Sequence, residues 1–350
     1  MSKFYNLLVK EVKRETPSTV SVVFEVPKNL KSDFKFIPGQ YITIQKELGG
    51  NVLRRAYSIC SSSNSDELRV AIKEVEQGNF SVYANKDLKA GDYLEVTIPE
   101  GKFVLNIDSD QNKNYLAFVA GSGITPVFSM IKSVLEIEKK SKFVLVYGNR
   151  SKEETIFKSE LDQLANEFKD QFKVYYSFSQ EKNDNTYSGR IDAEIVEDVL
   201  KNNQSQSIFN EYFICGPEVM IDLVEETLST NNVDKDLIKY ELFTSTTKKN
   251  EVESDLGGNS EITIILDEEE TTYQMSKEEL ILNTALAQGL DAPYSCQGGI
   301  CSSCLARVTE GNAVMEKNTI LNEEEVKEGL ILTCQAHPTT SKIKIDFDDV

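Results

Sequence analysis

Apolar and polar positions fall into three successive patterns along the 350 residues. From residue 1 to about 108, short runs that alternate apolar with polar side chains (STVSVVFEV, QYITIQ, AYSICS, LRVAIKEV, DYLEVTI) are separated by the turn signals IPGQ, AGD and PEGK. Alternation of period two at this spacing predicts a small antiparallel β-barrel, each strand burying one face. From about residue 113 nearly continuous apolar runs (YLAFVAG, KFVLVYGN, KVYYSFS, YFICGP) alternate with stretches of helical spacing (PVFSMIKSVLEIEKK, FKSELDQLANEF, IDAEIVEDVLK, EVMIDLVEETLS). Buried strands alternating with amphipathic helices predict a doubly wound parallel α/β sheet over 109–243. Residues 244–260, TSTTKKNEVESDLGGNS, have mixed charge and no apolar period, and read as a linker. The last segment, 261–350, opens with a hairpin pattern, EITIILDEEETTYQM, and a helical one, KEELILNTALAQGL.

Cysteine spacing brings chemistry into that last segment. Cys296, Cys301 and Cys304 in DAPYSCQGGICSSC and Cys334 in LTCQAHP form a C-x4-C-x2-C…C array, which fits the plant-type 2Fe-2S ligand spacing. Three thiolates in one loop wrap one side of a small cluster while the fourth arrives from further along, and Gly298 and Gly299 let backbone N–H groups approach the bridging sulfides. The alternative is a structural zinc site, which more often shows two separate C-x2-C knuckles. A Rieske centre is excluded, because it takes two histidines and the chain has only His337. Cys60 and Cys215 remain, and in a reducing compartment they stay unpaired.

Net charge narrows the partners. At -19 the chain lacks the clustered cations that nucleic acid requires. Residues 261–350 hold 17 acidic against 6 basic side chains, over half of the net charge. An acidic electron carrier suits steered encounter with a basic protein partner, with Asp291 and the run Glu323, Glu324 and Glu325 as candidate steering charges. No apolar run approaches the roughly 20 residues of a membrane span. The N-terminus, MSKFYNLLVKEVKRE, breaks into charge at once without a cleavage site, so the cytoplasm is the expected location.

Four short motifs precede the linker. Arg55, Ala56, Tyr57 and Ser58 end a strand. Gly78, Asn79, Phe80 and Ser81 lead into a short helix, SVYANKDL, with Ser81 as its expected N-cap. Gly121, Ser122, Gly123, Ile124, Thr125 and Pro126 join a strand to a helix, and Cys215, Gly216 and Pro217 end a later strand. Singly, each has a plain reading: ordinary barrel, a helix cap, a glycine-rich turn, a small core residue. Together and in this order they resemble the ferredoxin-NADP reductase superfamily from about residue 4 onward, and with the C-terminal cysteine segment they resemble the reductase components of oxygenases.

That resemblance implies an antiparallel β-barrel FAD domain over 1–108, an NAD(P)-binding α/β domain over 109–243 and a β-grasp ferredoxin domain over 261–350. It implies that Arg55 holds a flavin phosphate, that Tyr57 faces the flavin ring, and that Ser58 or its backbone bonds the flavin's reactive edge. Gly78 to Ser81 would complete a diphosphate seat, which favours FAD over FMN. Gly121 to Pro126 would receive the nucleotide pyrophosphate, with Thr125 where nicotinamide meets flavin, the Cys215 thiol beside the nicotinamide ring, and Gly216 and Pro217 completing that cofactor-binding motif. Asn149 and Arg150 fall near the adenosine ribose. Phe243 is either an aromatic beside the flavin or an apolar plug. Gln180, in SFSQE, stands where NADPH-selective relatives often carry Arg, and Arg150 or Arg190 could compensate, so NADH against NADPH stays open. The implied activity is electron transfer from NAD(P)H through FAD and the cluster to a protein acceptor. An oxygenase leads, with a desaturase, a hybrid-cluster protein, a free ferredoxin or a non-enzymatic redox sensor as alternatives.

Overall fold

The computed structural model describes residues 3–182, 186–204, 209–243 and 256–350. Its first sheet comprises β1 (Tyr5–Thr16), β2 (Thr19–Glu25), β3 (Tyr41–Leu48), β4 (Asn51–Ser58), β5 (Leu68–Lys73) and β6 (Tyr93–Val96), with helix α1 (Asn79–Lys86) between the last two. The strands lie in the order β4-β3-β6-β1-β2-β5, and an antiparallel bridge from Ile59 to Val70 joins the two ends into the expected barrel. Alternation does its work here: Leu7 and Val9 of β1 and Val20, Val22 and Phe24 of β2 point into one apolar core with Ile42, Ile44 and Ile72.

The second sheet is parallel throughout. It comprises β7 (Asn114–Ala120), β8 (Lys142–Asn149), β9 (Phe172–Phe178), β10 (Tyr187–Ser188), β11 (Glu211–Gly216) and β12 (Ile238–Leu242), with helices α2 (Ile124–Ile137), α3 (Lys158–Glu167), α4 (Ala193–Gln204) and α5 (Glu218–Thr230). The order is β10-β9-β8-β7-β11-β12. It therefore reverses between β7 and β11, and in open α/β sheets a crevice for ligands forms at the carboxyl ends of such a pair. Residues 115–119 of β7 are wholly buried, as a strand covered on both faces must be.

The third sheet is mixed. It takes strands from β13 (Asn259–Leu266), β14 (Glu269–Ser276), β15 (Leu305–Glu310), β17 (Leu330–Leu332) and β19 (Lys342–Asp346), in the order β14-β13-β19-β15-β17. Helix α6 (Ile281–Ala287) follows the hairpin, a ribbon pairs β16 (Ala313–Met315) with β18 (Ala336–Pro338), and α7 (Glu323–Lys327) precedes β17. Only β13 and β19 run parallel, the β-grasp arrangement. The two-residue turn between β13 and β14 puts Asp267 and Glu268 at positive φ without a glycine, and Asp348 supports it by accepting both backbone N–H groups, at 3.0 and 2.8 Å. The linker expected over 244–260 ends early, because Asn259 and Ser260 already pair in β13; residues 244–255 lie outside those described. The chain forms two compact units, one holding most of the first two sheets and the other built on the third.

Candidate functional site

Strand β4 delivers Arg55, Ala56, Tyr57 and Ser58 as its last four residues. The Tyr57 ring lies 5.7 Å from the Phe80 ring, so the two motifs expected at the flavin, distant in sequence, meet in space. Helix α1 begins at Asn79 with Gly78 as N-cap, three residues before the expected cap at Ser81. Ser81 is inside the first turn, and its hydroxyl instead accepts the Val75 N–H at 3.1 Å. A Cβ on Gly78 would come within 2.5 Å of that same oxygen, which is why the cap position carries no side chain.

The turn after β7 is a short 3-10 segment, Gly121–Gly123, running straight into α2. Gly121 adopts φ +55°, and its carbonyl accepts the Tyr147 hydroxyl at 2.9 Å. Gly123 packs so closely on β11 that an added Cβ would stand 2.3 Å from the Cys215 carbonyl oxygen. A cavity of about 740 Å³ opens at this end of the sheet. Gly121, Ser122, Gly123, Asn149, Arg150, Gly216, Pro217 and Phe243 all line it, together with Arg190, Ser179 and Met220. Ile124, Thr125, Pro126 and Cys215 do not line it. They are buried beneath it, and the Thr125 hydroxyl donates to the Ser122 carbonyl at 3.1 Å.

Glu241 is the residue sequence reasoning missed. On β12 it pairs in register with Cys215, and its carboxyl is reached by the Ser58 hydroxyl. Its Oε2 is inaccessible and has no hydrogen-bond partner among the described residues. Burial pushes the carboxyl up to about 8, and the bond from Ser58 opposes that only partly. Burial likewise raises the Cys215 thiol, with Glu241 adding to the rise. Ser58, Cys215 and Glu241, from β4, β11 and β12, thus meet at one point. A single carboxylate in a strand reads as a solvent-facing position, so only the fold could reveal it.

In the C-terminal unit the four cysteines are neighbours. Cys296 shares hydrogen bonds with Cys301 and Cys334, and Cys304 with Cys334. This sharing holds Cys296 and Cys304 below the ordinary thiol range and pushes Cys301 and Cys334 above it. Among the described residues no three His, Cys, Asp or Glu side chains are grouped for a single metal ion. Four connected thiols can instead supply two sulfurs to each of two irons. The Gly298 N–H donates to Cys296 Sγ at 3.3 Å, and Gln297 and Gly299 hold positive φ as the loop curls. The donor set therefore fits a 2Fe-2S cluster. Asp291 already holds an ion-pair partner, and Glu325 closes a capping box with Asn322 at the start of α7.

Three family models match in the same order: an oxidoreductase FAD-binding domain over 6–105, an oxidoreductase NAD-binding domain over 118–226 and a 2Fe-2S iron-sulfur cluster binding domain over 264–339. The chain belongs to the ferredoxin-NADP reductase superfamily, in the group that carries a C-terminal plant-type ferredoxin domain. It is an NAD(P)H-dependent electron-transfer oxidoreductase with FAD and a 2Fe-2S cluster. Among particular relatives, it is 36% identical to a subunit of the 1,2-phenylacetyl-CoA epoxidase of Escherichia coli (strain K12), over 99% of both chains. It is 33% identical to the ferredoxin reductase component of 3-ketosteroid-9-alpha-monooxygenase from Rhodococcus rhodochrous, over 97% of this chain and 96% of that one. The fold is shared with phthalate dioxygenase reductase (TM-score 0.61, 21% identity, 98% of both chains). It is shared too with a type IV self-sufficient cytochrome P450 monooxygenase (TM-score 0.71, 21% identity, 98% of this chain and 41% of that one). No described helix is long and apolar enough to cross a membrane.

Proposed function

We propose that this chain supplies electrons to an oxygenase, with phenylacetyl-CoA epoxidase as the favoured acceptor. The supporting observation is that a nucleotide-sized cavity at the topological switch point adjoins the Ser58, Cys215 and Glu241 cluster, in a chain that also carries the four-cysteine loop. Full-length similarity to the Escherichia coli epoxidase chain supports the choice of epoxidase over the ketosteroid system. In this reading Arg55 to Ser58 and the N-terminus of α1 hold FAD, and the cavity takes NAD(P)H, with Arg150 and Arg190 on the adenosine side. Cys296, Cys301, Cys304 and Cys334 hold the irons. The domain limits 1–108, 109–243 and 261–350, and a cytoplasmic location, belong to the same reading.

When bound, FAD and the cluster convert a two-electron donor into single-electron delivery. The chain's own residues do the rest. Gly123 lets the turn pack against Cys215 of β11, Gly121 supplies the positive φ that the turn needs, and Cys215, kept neutral by burial, packs under the site. Glu241, protonated at neutral pH, holds a proton within reach of the Ser58 hydroxyl at the flavin edge. The test is reconstitution: purified chain, NAD(P)H and the oxygenase component of phenylacetyl-CoA epoxidase should support epoxidation. Equal or better coupling to a ketosteroid oxygenase would reverse the choice of acceptor.

A further inference from the structure

The flavin strand and the nicotinamide turn come from different sheets, and hydride transfer is sensitive to their separation. A misplacement of about 1 Å can cost on the order of 100-fold in rate. Helix α2 carries the nicotinamide turn at its N-terminal end, while the segment Ile59–Ser63 continues directly from Ser58. A line of hydrogen bonds joins these two pieces. Ser129 Oγ donates to the Ser61 carbonyl at 2.6 Å, the Ser63 N–H donates to Ser133 Oγ at 3.0 Å, and Ser62 Oγ donates to Glu136 Oε2 at 2.5 Å. The Ser63 hydroxyl also lies 3.2 Å from Ser133 Oγ.

Positions 129, 133 and 136 recur at i, i+4 and i+7, so they form one stripe along α2. Ser129 and Ser133 have no exposed surface. Alanine would occupy such positions with better helix propensity, so neither helix formation nor packing explains the hydroxyls. Apolar contact is non-directional and tolerates sliding, whereas a stripe of directed bonds over about 10 Å of helix fixes rotation and translation together. The stripe also begins close to the chemistry: Ser129 is about one turn beyond Thr125, and Ser61 follows Ser58 in the same segment.

We propose that Ser129, Ser133 and Glu136 are positioning residues that hold the nicotinamide turn at hydride-transfer distance from the flavin site, acting through Ser61 to Ser63. The inference rests on the flavin and nicotinamide assignments of the preceding subsection.

The test uses the holoprotein with Ser129→Ala/Ser133→Ala, and with Glu136→Ala beside Glu136→Gln, whose amide oxygen still accepts from Ser62. Hydrogen exchange at the Ser63 amide reports whether the tie is cut, independently of activity. NAD(P)+ affinity and flavin content report the binding sites, and anaerobic stopped-flow reports flavin reduction. In the serine double variant, exchange at Ser63 should quicken by about tenfold or more, binding should stay within about twofold of wild type, and flavin reduction should slow by about 10- to 100-fold. Glu136→Gln should match wild type and Glu136→Ala should fall between. Faster exchange at Ser63 with an unchanged reduction rate would overturn the proposal, as would a weakening of NAD(P)+ binding that accounts for the slower rate. A wild-type protein whose flavin NAD(P)H does not reduce would instead overturn the site assignment itself.

Discussion

Gly123→Ala is the sharpest single perturbation of the Gly121–Gly123 turn, the turn proposed to seat the nicotinamide. The added Cβ would lie 2.3 Å from the Cys215 carbonyl oxygen, 2.7 Å from its carbonyl carbon and 3.1 Å from its Sγ. Two of those three atoms are backbone of β11, a central strand hydrogen-bonded on both sides, and cannot step aside as a side chain could. Reaching ordinary contact requires the turn to move about 1 Å away from the strand. Overpacking of this kind costs about 1–3 kcal/mol in stability, and the displaced turn should slow flavin reduction by NAD(P)H by about 100-fold. Gly121→Ala is the control: nothing lies within 4 Å of its added Cβ, so only the φ of +55° opposes it, at about 1–2 kcal/mol. The assay is anaerobic stopped-flow reduction of the flavin, alongside thermal unfolding and the visible absorbance of the cluster. Cluster absorbance should be retained in both variants, since the cysteines sit in the other compact unit. Wild-type reduction kinetics in Gly123→Ala would refute the reasoning, because they would mean that the close approach of the turn to Cys215 has no role in seating the nucleotide.

Arg150→Ala should weaken use of NADPH and leave NADH nearly untouched if Arg150 contacts the 2'-phosphate, a charge-assisted bond of about 1.5–3 kcal/mol; equal loss in kcat/KM with both nucleotides would assign Arg150 elsewhere. Arg69 lies 2.6 Å from Glu15 and 3.0 Å from Glu160. Arg69→Met leaves the buried Glu15 with only Lys13 at 3.3 Å and the Ser21 hydroxyl at 2.6 Å, and should cost about 1.5–3 kcal/mol in denaturant unfolding of the flavin and nicotinamide unit, a loss that a wild-type midpoint would contradict. Glu241, raised to about 8 from 4.5, makes the folded state bind a proton that the unfolded state releases. Its contribution to stability is therefore complete below about 4.5 and lost as pH rises through about 8. Glu241→Gln should flatten that limb of the stability profile, and an identical pH profile in the variant would show that Glu241 does not titrate there.

Strongly periodic segments and fixed spacings are the legible parts of the chain. Alternation in β1 and β2 and the unbroken apolar runs of β7 and β8 announce a barrel followed by a parallel sheet, because burial on one face or on two leaves different patterns. The cysteine spacing is legible because an iron-sulfur loop constrains it directly. What escapes depends on contacts between distant segments. Glu241 gains its chemistry only from the strand order that sets β12 beside β11 and within reach of Ser58. Ser129 and Ser133 look like polar interruptions of an apolar helix until the Ser61 to Ser63 backbone lies against them. The helix start at Gly78 is hidden because Ser81 is a good N-cap residue, and tertiary packing instead gives its hydroxyl to Val75.

The central claim is the order of the electron path, nicotinamide to flavin to cluster to acceptor protein, and Cys301→Ser tests it most directly. With Cys301 as one of the four proposed cluster thiolates, its replacement should abolish or severely destabilise the cluster while leaving the flavin and nicotinamide unit intact. Measured on protein that retains its flavin, NAD(P)H-driven reduction of ferricyanide should persist and reduction of cytochrome c should cease. Loss of both activities together in the flavin-loaded variant, or retention of cytochrome c reduction without the cluster, would contradict that order.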